Sequence, residues 1–130
     1  VESMGVEITC GGGTYVRSLA RDLGRSCGSA AHLTALRRTA SGPFRVTDAV
    51  ALETLQAGGG AVRPPLDALP HLPQQALSDE ELAKIVRGID VAAVVDGPWS
   101  ALTAPGTGAL VAVAERERDR WRPRVVMHAA

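Results

Sequence analysis

Tyr15 and Arg17 are the residues whose types and spacing suggest chemistry, because they lie two positions apart just after three glycines at residues 11–13. An aromatic ring can stack on a flat base, and a guanidinium can hold an anion through paired hydrogen bonds. Together they suit a site that meets an aromatic base and an anion. Short patterns of this kind are common, so the alternative interpretation is an ordinary surface arginine at a glycine turn.

The elements that would position this pair are a strand, a glycine turn and a helix. Apolar residues alternate over residues 6–10, which is typical of a half-buried strand. Thr14 can cap the start of a helix, and Gly24 or Gly28 can end it in a left-handed cap. The apolar stripe of that predicted helix consists of Val16, Leu19, Ala20 and Leu23. The turn would therefore place the tyrosine and the arginine on the first helical turn.

Charge is distributed unevenly along a chain of 130 residues whose net charge is zero. Residues 1–47 carry six arginines against three acids, an excess of three positive charges, and residues 48–130 carry the opposite excess. A basic first third favours an anionic partner. An arginine-rich face that is only solvated explains so small an excess nearly as well.

The two cysteines and three histidines do not predict a metal site. Cys10 and Cys27 lack metal-ligand spacing, and His32, His71 and His128 form no cluster with them. We expect two free, buried thiols in a reducing cytosol. The start of the chain has no signal pattern and the apolar runs are too short to cross a bilayer, so we expect a cytoplasmic protein without a membrane partner.

The middle of the chain is predicted to alternate short elements with loops. A strand is expected over residues 31–40, where the Ser-Gly-Pro that follows would end it. Thr47 is expected to cap a helix over residues 48–56. Residues 57–65 are rich in glycine and proline, and residues 66–70 can form a helical turn. This region is the predicted domain boundary.

The last part of the chain is predicted to be a β-rich module with one leading helix. Ser78 and Glu81 have the spacing of a capping box, and Gly88 can close the helix. Trp99 is expected in irregular structure, and the charged run at residues 115–122 is expected to be a solvated hairpin connection. The predicted strands are residues 91–95, 109–114 and 125–127.

Several short motifs follow one another in a fixed order. They are the run at residues 10–24, Gly28, Ala-His-Leu at 31–33, Leu-Arg-Arg-Thr at 36–39, Gly42 and Phe44. In this order they resemble the tRNA pseudouridine synthase B family, over roughly residues 5–55. The Pro-Leu-Asp at residues 65–67 and the β-rich tail are similar to the linker and the C-terminal PUA-type RNA-binding module of that family. The resemblance implies an enzyme that isomerises the T-loop uridine (position 55) of tRNA to pseudouridine.

The resemblance also implies a fold and a domain plan. It implies an α+β chain in which residues 1–62 form the C-terminal portion of the mixed-sheet catalytic domain. Residues 63–73 would be a linker, and residues 74–130 a small β-rich, PUA-like module. The T-stem-loop of tRNA would be the partner, and the resemblance implies no redox cofactor and no metal.

The resemblance gives roles to individual residues. Tyr15 would be the active-site tyrosine against the target base, Arg17 would pair with the catalytic Asp, and Leu36 would pack beneath the flipped base. A flipped base needs a flat or apolar wall, and a neighbouring arginine keeps a nucleophilic Asp ionised. The candidate phosphate contacts are Arg21, Arg25, Arg37 and Arg38. The alternative for each of these four is an ordinary solvated surface charge.

The sequence departs from the family pattern at one position of consequence. The catalytic Asp of the family lies in a Gly-x-Leu-Asp segment, which these 130 residues lack, and Leu66 and Asp67 stand in the linker without that glycine. We therefore expect the C-terminal part of the enzyme, inactive alone, with the N-terminal part of the same enzyme as its only protein partner. The alternatives are a non-catalytic RNA-binding module and a generic α/β domain with a fortuitous turn.

Overall fold

The computed structural model describes residues 3–127. Backbone contacts divide the chain into two units, of which the first ends at Arg38 and the second begins at Thr39. The α+β class is confirmed, because both helices and a mixed sheet are present. The predicted domain limits at residues 62 and 73 stay a prediction, since contact density alone does not define a domain.

The first unit contains one helix, α1 (Val16–Ser26), which begins after a glycine turn as predicted. Gly13 has φ +81°, a conformation that glycine adopts without strain. The predicted cap at Thr14 is wrong, because Tyr15 is the N-cap residue and no side chain caps the helix. The carbonyl of Tyr15 instead accepts hydrogen bonds from the two N–H groups three and four residues later, at 2.9 and 3.3 Å.

The end of α1 is a Schellman motif built on Gly28, which confirms one of the two predicted caps. Gly28 has φ +67°, its N–H donates to the carbonyl of Arg25 at 3.0 Å, and Ser29 N–H donates to the carbonyl of Gly24 at 2.8 Å. Gly24 is the buried residue of the helix. A Cβ there would lie 2.8 Å from the carbonyl carbon of Ala30, so the returning chain packs directly on the glycine.

Two predicted strands in the first part of the chain are wrong. Residues 6–10 and 31–39 form no strand, although residues 40 and 41 do. A strand requires a hydrogen-bonded neighbouring strand, and no described strand pairs with either segment, although the carbonyl of Thr39 accepts a hydrogen bond from Val46 N–H at 2.8 Å. The predicted burial of both thiols is also wrong, because Cys10 and Cys27 are exposed. The alternation in the sequence indicates a preference for extended backbone. It does not show which strand, if any, pairs with the segment.

The second unit opens with a small hairpin. Its strands are β1 (Ala40–Ser41) and β2 (Phe44–Arg45), which pair antiparallel around Gly42 at φ +56°. A 3-10 turn at Val46–Asp48 and the helix α2 (Leu52–Gln56) follow.

The helix predicted over residues 48–56 therefore begins four residues later than expected, at Leu52. Thr47 does not cap it, because Ala51 is the N-cap residue, and the Thr47 hydroxyl instead donates to the carboxylate of Asp48 at 3.2 Å. The 3-10 turn at Pro65–Ala68 confirms the predicted helical turn near residues 66–70.

The larger sheet has five strands. The elements are β3 (Gln74–Ala76), α3 (Asp79–Val86), β4 (Val91–Ala92), β5 (Trp99–Thr103), β6 (Leu110–Glu117) and β7 (Arg120–Val126). The strand order is β3-β5-β6-β7-β4, with β3 parallel to β5 and every other pair antiparallel. Helix α3 packs against β6, β7 and β4. It has the predicted capping box of Ser78 and Glu81, and Gly88 follows it at φ +75°.

The core of this sheet centres on Trp121, which is fully buried. The core residues are Leu77, Ile85, Val91, Leu102, Val111, Ala112, Ala114 and Trp121. The expectation of irregular structure at Trp99 is wrong, because β5 begins there. The hairpin predicted at residues 115–122 is present, but its turn covers only residues 118 and 119, and the rest of the run belongs to β6 and β7. The strand predicted over residues 91–95 is shorter, and it ends at Ala92.

Candidate functional site

Tyr15 stands at the junction of the glycine turn and α1. Its backbone is fixed by the two hydrogen bonds that its carbonyl accepts, and its side chain is 73% exposed. An aromatic ring held by the backbone and left free at the side chain can present a flat face to a partner. The local structure therefore agrees with the predicted position on the first turn of the helix.

Arg17 is the second residue of α1 and is exposed. The first turn of this helix has no acidic residue, so the positive end of the helix dipole and the guanidinium lie together. A cation at this end costs the helix a few tenths of a kcal/mol rather than stabilising it. Within residues 3–127, Arg17 makes no ion pair and no side-chain hydrogen bond, which leaves its charge available for an anion.

Arg17, Arg21 and Arg25 form one row along α1, because residues four apart share a helix face. Asp22 lies beside this row, with Oδ1 2.8 Å from Nε of Arg21 and 4.0 Å from Nη1 of Arg25. The hydrogen bond from Arg21 lowers the pKa of Asp22, and the same bond raises the pKa of Arg21. One carboxylate thus offsets part of the charge of three arginines, and the row stays cationic.

The other predicted site residues follow α1 in irregular backbone. Leu36 is 66% exposed, and Arg37 and Arg38 are also exposed. No hydrogen bond or ion pair within the described chain connects them to Tyr15 or Arg17. The structure brings Arg17, Arg21 and Arg25 onto one helix face and leaves Leu36 as an apolar side chain open to a partner.

One pair of residues was missed in the sequence interpretation. The guanidinium carbon of Arg63 lies 5.5 Å from the centre of the Phe44 ring. Phe44 entered the sequence analysis only as a motif residue, and Arg63 entered only as part of a loop. The signal in the sequence was an arginine shortly after a run of glycines. That spacing does not identify Phe44 as the partner of Arg63.

The described part of the chain holds neither a candidate metal site nor a helix that could span a membrane. Over residues 3–127, no group of three His, Cys, Asp or Glu side chains could hold a metal ion. No helix in that range combines the length and the apolar character needed to cross a membrane.

Comparison with known proteins identifies the family. A family model described as the tRNA pseudouridylate synthase B C-terminal domain matches residues 17–93. The chain is 40% identical to the tRNA pseudouridine synthase B of Thiobacillus denitrificans over 124 residues, which cover 92% of this chain and 42% of that protein. The enzyme of Thermobifida fusca is 40% identical over 120 residues, with coverage of 92% and 40%. That of Corynebacterium aurimucosum is 44% identical over 100 residues, with coverage of 72% and 29%.

The family model first defines a class of domain, because residues 17–93 match the C-terminal domain of tRNA pseudouridylate synthase B. The chain belongs to the tRNA pseudouridine synthase B family. It spans about two fifths of the length of the first curated relatives it matches.

Proposed function

We propose that this chain is the C-terminal part of an isomerase that converts the T-loop uridine of tRNA to pseudouridine. The observation that carries the proposal is the placement of Tyr15 and Arg17 in a family member. Both follow a glycine turn, both stand at the start of one helix, and both have exposed side chains.

In this proposal Tyr15 and Leu36 form walls for the target base. The base must leave the stack before its glycosidic bond can be broken and remade at carbon. Tyr15 is 73% exposed and Leu36 66% exposed, so each has apolar surface to give to a flipped base. Burial of that surface against the base would offset part of the cost of unstacking.

Arg17 is proposed to hold the nucleophilic Asp, which these 130 residues do not contain. Its guanidinium has no competing carboxylate among the described residues, and it stands at the positive end of α1. A carboxylate there would meet both the arginine and the dipole, which keeps its pKa low and its nucleophilic form populated. Arginine suits this role better than lysine because its planar fork binds a carboxylate through two hydrogen bonds.

The remaining cations are proposed to contact the tRNA backbone. Arg21 and Arg25 continue the row that Arg17 begins, and Arg37 and Arg38 follow in the exposed segment after α1. Phosphate contacts orient an RNA without reading its sequence. The β-rich module over residues 74–130 is proposed to be the PUA-like second contact with tRNA.

The proposal predicts tRNA binding without turnover by the 130-residue chain alone. Binding to a T-stem-loop RNA should weaken as salt rises, because each arginine–phosphate contact releases counterions. Tritium release from tRNA labelled at uridine C5 should equal that of a no-enzyme control. Turnover by this chain alone would mean that it contains the nucleophile, and salt-independent binding would exclude the arginine contacts.

The second candidate function is a non-catalytic RNA-binding module. All residues of the buried core lie between Leu77 and Trp121, which favours a module that folds on its own. A fragment of residues 74–130 that binds the stem-loop as tightly as the whole chain would support this candidate. The same result would also mean that α1 is not part of the interface with tRNA.

A further inference from the structure

An open groove lies on the second unit between β2, α2 and the loop that follows α2. It encloses about 330 Å³, which is within the range of small-ligand sites. The residues that matter for its chemistry are Phe44, Arg45, Asp48, Val50, Leu55 and Arg63. This set is called the Phe44 groove.

The floor of the Phe44 groove is apolar although it faces solvent. Phe44 is 39% exposed, Val50 43% and Leu55 53%. Gly60, at φ +97°, packs against two of these side chains, and a Cβ there would lie 2.9 Å from Cδ2 of Leu55 and 3.4 Å from Cγ1 of Val50. The glycine-rich loop thus passes close to the floor before it reaches Arg63.

Arg63 lies over one face of the Phe44 ring and also lines the groove. Its guanidinium carbon is 5.5 Å from the centre of the Phe44 ring, and its Nε donates to Oδ2 of Asp67 at 3.0 Å. The ion pair fixes the orientation of the guanidinium plane while the ring lies beneath it. An aromatic face and a guanidinium plane are the two surfaces on which unstacked RNA bases pack.

The rim of the groove offers both a donor and an acceptor. Arg45 is exposed and makes no ion pair in the described range, so its N–H groups are free. Asp48 accepts a hydrogen bond from the Thr47 hydroxyl at 3.2 Å and retains further lone pairs. Nucleobase edges carry donors and acceptors side by side, so a base matches this rim better than a purely anionic or purely apolar ligand does.

We propose that the Phe44 groove binds one unstacked nucleobase of a single-stranded RNA segment. The base packs on Phe44, Val50 and Leu55, and its edge meets Arg45 and Asp48. The choice of RNA rests on the proposed function, but the site is separate in sequence from Tyr15 and Arg17. The two sites can therefore fail independently in one experiment.

The chain contains one phenylalanine and one tyrosine, so selective labelling gives one reporter for each site. NMR spectra of the 130-residue chain with ring-labelled Phe and Tyr are recorded while a cytidine octamer is added. The Phe44 ring signals should shift progressively. An octamer of abasic ribose phosphate should leave them in place, because it carries the charge without the base.

Matched variants identify the contacts. Phe44→Leu should weaken octamer binding about tenfold, because a base–aromatic stack is worth roughly 1–3 kcal/mol. Leu55→Ala should weaken binding, whereas Leu52→Ala, a 65% exposed leucine on the same helix outside the groove, should not. Arg45→Gln should weaken binding more than Arg87→Gln, which removes an exposed arginine near the end of α3.

The outcomes separate the two proposals. A Tyr15 shift on addition of a T-stem-loop RNA, without a Phe44 shift in either titration, overturns the groove and leaves the proposed function standing. Equal Phe44 shifts with the cytidine and abasic octamers also overturn the groove. A Phe44 shift that depends on the base, with Tyr15 unmoved by the stem-loop, supports the groove and counts against the proposed function.

Discussion

The indole N–H of Trp121 donates to the side-chain oxygen of Gln75 at 2.6 Å, and both residues are buried. The same oxygen accepts from Val94 N–H at 3.0 Å, and Nε2 of Gln75 donates to the carbonyl of Ala92 at 2.9 Å. The amide of Gln75 in β3 thus bonds to β7, to Ala92 of β4 and to the segment after β4, so it links both edge strands of the sheet with an interior strand. Buried polar groups with every partner present stabilise a particular arrangement of strands.

Gln75→Ala should lower the free energy of unfolding by about 2–4 kcal/mol, because it leaves buried partners unpaired. Urea denaturation measures the change. Gln74→Ala is the matched control, since the neighbouring glutamine of β3 is exposed. Equal losses for the two variants would contradict the network.

The ion pair of Asp22 makes the stability of α1 depend on pH. The pKa of Asp22 is lowered in the folded chain, chiefly by the hydrogen bond from Arg21. A lowered pKa stabilises the folded state above the unfolded value of about 3.8, and this contribution is lost as the pH falls through the folded pKa. Backbone chemical shifts of α1 should therefore move toward coil values below pH 4, and Asp22→Asn should remove that titration step.

Asp22→Asn should also strengthen tRNA binding at neutral pH. The substitution removes the carboxylate that offsets Arg21 and Arg25, and solvent screening keeps the effect of such an exposed pair small. We expect affinity for a T-stem-loop RNA to rise about twofold to fivefold at low salt and less at high salt. Glu53→Gln removes the same charge at the start of α2, outside the proposed tRNA contacts, and should leave affinity unchanged. A weaker-binding Asp22→Asn variant would exclude the row on α1 from the interface.

Amide hydrogen exchange should be faster in α1 than in β5 and β6. Helix α1 buries Gly24 alone, whereas Ala101, Leu102, Val111 and Ala112 in the sheet are at most 1% exposed. Local opening is cheapest where few apolar contacts are lost. Mass spectrometry of peptides from both regions measures the difference. Equal protection in a monomer would contradict it.

Local signals were sufficient for the features that neighbouring residues determine. The glycine turn before α1, the Gly28 cap and the capping box of Ser78 all follow from residue types a few positions apart, whereas the α+β class came from the family resemblance. Tyr15 and Arg17 were likewise singled out as candidate site residues from their spacing at that turn, and their roles stay a prediction.

Features that depend on distant partners were not predictable in this way. Alternation over residues 6–10 and 31–39 could not reveal that no described strand pairs with them. The strand residues within the charged run at residues 115–122 were missed in the sequence. Their cross-strand ion pairs, such as Arg124 with Glu115 at 2.6 Å, cannot be recognised until the register is known. The stack of Arg63 on Phe44 depends on a loop path that composition does not give.

The most direct test of the proposed function uses a chimera that joins the N-terminal part of the Thiobacillus denitrificans enzyme to these 130 residues. Tritium release from tRNA labelled at uridine C5 is measured alongside tRNA affinity, for the chimera and its Arg17→Lys variant. We expect the chimera to release tritium, and the lysine variant to lose at least about tenfold in turnover while its tRNA affinity changes less than about twofold, because the loss of bidentate carboxylate binding affects the nucleophile rather than the RNA. Equal turnover by the two proteins, or a loss in affinity alone, would contradict the role of Arg17.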